Sequence, residues 1–188
     1  GFSENLREED GYLTKQHYID VIQQQAGDMD ALVHKMLNFS KLESDSAKAN
    51  KQLFNIKTEL ETLAERYNSI TDKNIIITAD NTDVSADKAL MELVFENLIE
   101  NAIRYSSNNS DIEISFIHHT FSVSNECDTI SKKDIKKMWK PYCRLPRNEE
   151  VRGTGIGLSI VRQILKIHKI KPCTEYTNGK LIISFEMK

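Results

Sequence analysis

The stretch Phe95-Glu96-Asn97-Leu98-Ile99-Glu100-Asn101-Ala102-Ile103-Arg104-Tyr105 sets two amides into an otherwise apolar helical stripe. Asn97 and Asn101 stand four apart, share one helix face and continue the line of Leu90 and Val94; Arg104 and Tyr105 carry that face a further turn. An amide among apolar residues needs a partner. Its carbonyl oxygen, aimed into a cleft, suits Mg²⁺, which prefers oxygen ligands and keeps waters and phosphates in its other positions. Taken alone, the pair reads better as amides that simply face solvent. The neighbouring sequence has to decide.

Downstream, Gly153-Thr154-Gly155-Ile156-Gly157-Leu158 opens a helix expected from about Ile156 to His168. The chain has seven glycines, and three of them fall in this cluster. Glycines at a helix start let backbone N–H groups approach an anion that the positive end of the helix dipole also favours. A P-loop is excluded, because Leu158-Ser159 follows the last glycine where Lys-Ser or Lys-Thr is required. A dinucleotide fold is disfavoured: the G-x-G-x-x-G spacing fails and no regular βαβ alternation surrounds it. The loop before the cluster carries Arg144, Arg147 and Arg152. Amide pair, glycine cradle and cationic loop together make a site with a metal ligand, a phosphate cradle and a clamp.

Around these motifs the pattern alternates between strand and helix. A first strand is expected near Leu53 to Ile56, a helix from about Thr58 to Tyr67, and a buried strand at Ile75-Ile76-Ile77. The amide-bearing helix is expected over Asp87 to Tyr105. Strands follow, with Ile112, Ile114 and Phe116 on one face, then Phe121 and Val123; next come a charged helix at 131–138 and a last strand alternating Leu181, Ile183, Phe185 and Met187. This order predicts a two-layer α/β sandwich, a mixed sheet with helices on one face. At the other end of the chain, Ile19, Ile22, Ala26, Met29, Val33 and Met36 recur in steps of three and four, a heptad seam within a helix from about Thr14 to Leu42. The boundaries expected are 1–46 for a partial helical hairpin and 47–188 for the second module, with Ser44 to Ala49 as linker.

The 188 residues are enough for one ordinary domain with an appendage. A mean hydropathy of -0.47 and the lack of a bilayer-length apolar run argue against a membrane span. Lys and Arg total 25 against 28 Asp and Glu, net charge -3, with no basic block of the kind a nucleic-acid surface needs. Cys127, Cys143 and Cys173 have no CxxC spacing, which fits a reducing compartment and no zinc framework. The opening Gly1-Phe2-Ser3, without initiator Met or targeting pattern, reads as a fragment.

In this order the motifs resemble the sensor histidine kinases of two-component signalling. Phe95 to Ser106 resembles the N-box of their ATP-binding domain, Gly153 to Leu158 the second glycine box, and Trp139-Lys140-Pro141-Tyr142 the F-box that anchors the ATP lid. Tyr18 to Ser44 is similar to the second helix of the dimerisation and phosphoacceptor hairpin, ending in Phe39-Ser40-Lys41-Leu42-Glu43. The resemblance implies a Bergerat-type fold that binds ATP and Mg²⁺, with Asn101 as the metal ligand and Asn97 beside it. Arg104 takes the usual Lys position near the phosphates, and Tyr105 that of the following aromatic. Thr154, Ile156 and Leu158 with the three glycines, and Arg144 and Arg152 from the lid, would complete the phosphate contacts. ATP-hydrolysing relatives carry a Glu where Asn97 stands; an amide is no general base, so transfer to a histidine fits better than hydrolysis. Glu96 and Glu100 lie about one residue off that face and are expected to point elsewhere.

The implied partners are a response-regulator protein and a second copy through the hairpin in the full-length protein, with no nucleic acid and no membrane contact by this segment. The implied location is cytoplasmic, in a family whose members are often anchored in the membrane by upstream segments. Two departures stand out. None of His17, His34, His118, His119 and His168 has the acidic, aliphatic, basic, Thr and Pro sequel of the phosphoacceptor, so the fragment is not expected to autophosphorylate. The first glycine box, Asp-x-Gly-x-Gly in the family, is replaced by Asn125-Glu126-Cys127-Asp128-Thr129; Asn125 can still accept from the adenine amino group, without charge assistance. A non-catalytic pseudokinase and an anti-sigma-type serine kinase are the alternatives on the same fold, the latter disfavoured by the heptad helix and by Asn97.

Overall fold

The computed structural model describes residues 48–107, 110–127, 129–143 and 154–187, together with 18–20, 22, 23, 26, 27, 29, 33, 36, 40 and 42. The chain divides into two compact units, Gly1–Ser40 and Lys41–Lys188. In the first, every described residue is helical, and the seam residues Ile19, Ile22, Met29, Val33 and Met36 are exposed.

The second unit is built on strands whose side chains alternate. Along β4 (Ile112–Ile117), β5 (Thr120–Glu126) and β7 (Lys180–Glu186), Ile112, Ile114, Phe116, Phe121, Val123, Leu181, Ile183 and Phe185 are buried, while Glu113, Ser115, Ser122, Ile182 and Ser184 take the other face. With β2 (Ile75–Ala79) and β6 (Cys173–Thr177) they form a five-stranded sheet of order β2-β4-β5-β7-β6. β2 runs parallel to β4 and the other pairs are antiparallel. β1 (Gln52–Asn55) and β3 (Asp83–Ala86) form a separate antiparallel ribbon. The apolar face is covered by α1 (Ile56–Asn68), packed on β2, by α2 (Lys88–Tyr105), packed on β5, and by α4 (Gly157–Ile167), packed against α2. The short α3 (Lys132–Lys137) starts at a Ser131/Asp134 capping box.

Phe95 of α2 lies on Phe121 of β5, which lies on Phe185 of β7, each pair of ring centroids 4.9 Å apart. Full burial of each ring contributes roughly 2–3 kcal/mol, so this file of aromatics fixes α2 over the middle of the sheet. The expected two-layer sandwich is the observed one. Local limits differ by a residue or two: Ile56 begins α1 rather than ending β1, because Asn55 caps the helix by accepting from Thr58 N–H at 3.1 Å. β3 and β6 were not foreseen. No helix among the described residues is long and apolar enough to cross a membrane.

Candidate functional site

α2 is held at its head by Asp87, whose side chain accepts from Leu90 N–H at 3.1 Å and from Asn50 N–H at 2.8 Å. From there its amide stripe runs beneath the start of α4. Asn97 is 3% exposed, and its Nδ2 donates back along the helix to Leu93 O at 2.7 Å. Its Oδ1 is turned to Gly157: a Cβ built there would lie 2.9 Å from Asn97 Oδ1 and 3.6 Å from Asn101 Nδ2. Gly157 is therefore required for the close approach of α4 to the amide pair. Asn101 is half-buried, and its Nδ2 is fully buried without a hydrogen-bond partner. Neither amide simply faces solvent.

α4 begins at Ile156 and Gly157 with no side-chain cap, which leaves its first N–H groups, among the described residues, open at the positive end of the helix. Ile156 is buried, and its carbonyl accepts from Ser159 Oγ at 2.6 Å, while Thr154, Gly155 and Leu158 are half-buried around it. Gly155 has φ +69°, and a Cβ there would meet the Tyr142 and Cys143 backbone at 3.0–3.1 Å. Tyr142 N–H donates to Gly155 O at 2.9 Å, which ties the segment after α3 to the glycine turn. Trp139, buried, anchors the same segment by donating from Nε1 to Thr174 Oγ1 at 3.1 Å. Arg144, Arg147, Arg152 and Gly153 lie outside the described residues.

Arg104 is exposed and Tyr105 half-buried in the last turn of α2. Glu96 and Glu100 are turned toward α1: Glu96 pairs with Arg66, and Glu100 accepts from Tyr67 Oη at 3.4 Å. Burial, followed by the negative charges of Glu100 and Glu96, holds the Tyr67 phenol far above its ordinary pKa. At the far end of β5, Asn125 is 5% exposed and shares the helix-facing side with Phe121 and Val123; its Nδ2 donates to Glu126 O at 3.2 Å. The segment replacing the first glycine box is tied to the β6–β7 hairpin, with Cys127 N–H donating to Gly179 O at 3.0 Å and Tyr176 Oη donating to Cys127 O at 3.4 Å. That tether between Tyr176 and Cys127 was invisible to sequence reasoning. Among the described residues no cluster of three or more His, Cys, Asp or Glu side chains could hold a metal ion, the His118-His119 pair included.

Residues 86–187 match the family described as histidine kinase-, DNA gyrase B- and HSP90-like ATPase. The adaptive-response sensory kinase SasA of Prochlorococcus marinus is 37% identical over 101 residues, which are 50% of this chain and 26% of SasA. Histidine kinase AdeS of Acinetobacter baumannii superposes with a TM-score of 0.74 at 22% identity, covering 90% of this chain and 83% of AdeS, a likeness of fold. The catalytic domain of histidine kinase ThkA gives a TM-score of 0.61 at 26% identity, covering 73% of this chain and 95% of that domain. The chain thus spans only about a quarter of the length of SasA. With the amide pair under an uncapped helix start and the match extending from Ala86 to Met187, the chain belongs to the histidine kinase-, DNA gyrase B- and HSP90-like ATPase family, on its sensor histidine kinase branch.

Proposed function

We propose that the chain binds Mg-ATP between α2 and the start of α4, as the catalytic region of a kinase that transfers the γ-phosphoryl group to a histidine, for relay to an aspartate of a response regulator. One observation carries the reading: the buried, unpartnered amide of Asn101 lies across from Gly157, beside the open N–H groups of α4. A polar side chain is stable there when a ligand completes its hydrogen bonding. Asn101 would supply a carbonyl oxygen to Mg²⁺, the α4 N-terminus with Thr154 and Gly155 would receive phosphate oxygens, and Asn125 would accept from the adenine amino group. Bound Mg²⁺ would neutralise charge on the phosphates. Transfer is favoured over hydrolysis because Glu96 and Glu100 are engaged toward α1 and Asn97 cannot take a proton from water.

The phosphoacceptor histidine is not among the five of this chain, since none carries the family's sequel; the chain alone is expected not to phosphorylate itself. The exposed apolar seam supports pairing with a second copy. A response regulator as partner is supported by ThkA, a kinase of similar fold described in complex with response regulator protein TrrA. The cytoplasm is the compartment where ATP and such a partner meet. Calorimetry with a non-hydrolysable ATP analogue tests the proposal. Binding that strengthens with Mg²⁺, and loses that strengthening in Asn101→Ala, is expected; no heat at millimolar nucleotide refutes it.

A further inference from the structure

A cavity of about 630 Å³ opens at the opposite end of the same unit, where α4 ends rather than begins. α4, with its 11 residues, separates it from Gly157 by about 16 Å. Likewise β5 starts at the cavity with Thr120 and carries Asn125, of the proposed nucleotide site, near its other end. The volume lies in the range of about 300–1,000 Å³ typical of small-molecule sites.

Its wall is preformed. His168, buried at the end of α4, accepts at Nε2 from Asp87 N–H at 3.0 Å, so its proton sits on Nδ1 and is donated to Ile164 O at 2.9 Å. The imidazole thus bolts the end of α4 to the head of α2. Met187, also on the lining, is held by donating its N–H to His119 O at 2.8 Å. Thr120 of β5 and Ser184 of β7 are among its lining residues.

Its charge is unbalanced. Lys51, Lys169 and Lys171 line it against the single carboxylate of Glu186, in a chain whose net charge is -3. Lys57, Lys88 and Lys180 each pair with a glutamate, whereas none of the three cavity lysines has an ion pair among the described residues. Lys169 is also placed at a conformational cost. It has φ +61° at the end of α4, where the N–H of Ile170 donates to Leu165 O at 2.8 Å and that of Lys169 to Lys166 O at 3.0 Å. This is the helix stop at which glycine is unstrained, yet a lysine occupies it. These bonds, with that of His168 N–H to Ile164 O, engage the carbonyls of Ile164, Leu165 and Lys166 at the end of α4.

We infer that this cavity binds a compact anion of at least two charges, a phosphate ester or a polyphosphate, at a site separate from the nucleotide site. Three lysines against one carboxylate on the lining of a cavity this size match multiply charged oxyanions, which lysine contacts as a point charge. The inference does not rest on the kinase reading. The test is a titration of the whole chain with inorganic pyrophosphate in metal-free buffer, followed by amide shifts in ¹⁵N-correlated spectra. Saturable shifts are expected at Thr120, Ser184 and Lys169 to Lys171, with Asn101 and Gly157 unmoved, and an affinity that falls as salt is raised. Lys169→Gly removes the charge and the backbone strain together; it should keep the parent's melting temperature or exceed it, yet weaken pyrophosphate at least about threefold, as should Lys171→Gln. Inorganic phosphate as a second probe, binding more weakly than pyrophosphate, separates a monoester preference from a polyphosphate one. No saturable shift at these residues by about 10 mM probe, or both lysine variants binding like the parent, overturns the inference.

Discussion

Replacing Gly157 with alanine tests whether the close approach of α4 to the amide pair is a real constraint. The added Cβ would lie 2.9 Å from Asn97 Oδ1, a distance real Cβ atoms do not show, so something must move. The side chain of Asn97 cannot swing away freely, because it is 3% exposed and its Nδ2 is held on Leu93 O at 2.7 Å. Overpacking of this kind costs about 1–3 kcal/mol, against a helix-propensity gain of up to about 1 kcal/mol, so a net loss of about 1–2 kcal/mol is expected. In an Asn97→Ala background the struck atom is gone, and the same alanine should be neutral or stabilising. The double-mutant cycle should therefore show a coupling of about 1–2 kcal/mol. Urea unfolding followed by the fluorescence of Trp139, the single tryptophan, reads the second unit alone. Gly157→Ala should also weaken nucleotide binding about tenfold, since the methyl group enters the phosphate cradle. Additivity of the two substitutions within about 0.5 kcal/mol would show that the two helices have room to spare, and the reasoning would fall.

Gly155→Ala should be more destabilising than Gly179→Ala: both need a positive φ, but only at Gly155 does the new Cβ strike backbone, and paired urea titrations give the comparison. Because the Tyr67 phenol is raised in the folded state, its contribution is fully present below the ordinary value of about 10 and is lost as pH rises from there through the folded-state value; Tyr67→Phe should flatten the alkaline limb of a stability-pH curve. Glu113 is lowered by hydrogen bonds from Lys180 at 2.9 Å and Ser124 at 3.0 Å, so its contribution is present above the ordinary 4.5 and is lost as pH falls through the depressed value. Lys180→Ala should shift the Glu113 titration upward by NMR, and a titration unchanged from the parent's would show that the pair is not formed in solution.

The helices and central strands were legible because their periodicity is strong. α2 carries its apolar residues at helical spacing, and β7 alternates Leu181, Ile183 and Phe185. β3 escaped notice because only Val84 and Ala86 are buried in it, and β6 because Cys173-Thr174-Glu175-Tyr176-Thr177 is polar throughout on the edge of the sheet. A signal for β6 was present: Asn178-Gly179, with φ of 50° and 80°, is the favoured two-residue hairpin turn. The β4–β5 hairpin makes a turn with the same signs at His118 and His119, whose sequence gives no such hint; Asp80 supports it by accepting from His118 N–H at 2.9 Å. At the site, the amide stripe and the glycine cluster could each be read locally. Their meeting could not, because the contact of Gly157 with Asn97 joins residues 60 apart in the chain.

On the proposed pairing of the exposed seam of Ile19, Ile22, Met29, Val33 and Met36 with a second copy, the chain's cooperativity becomes a matter of concentration. A helix that hides its apolar stripe only against a second copy is stabilised by mass action, while the sandwich carries its own aromatic core. Melting followed by far-ultraviolet circular dichroism should then show a component that moves to lower temperature on dilution, with the Trp139 transition staying in place. No single melting temperature describes a chain of that kind.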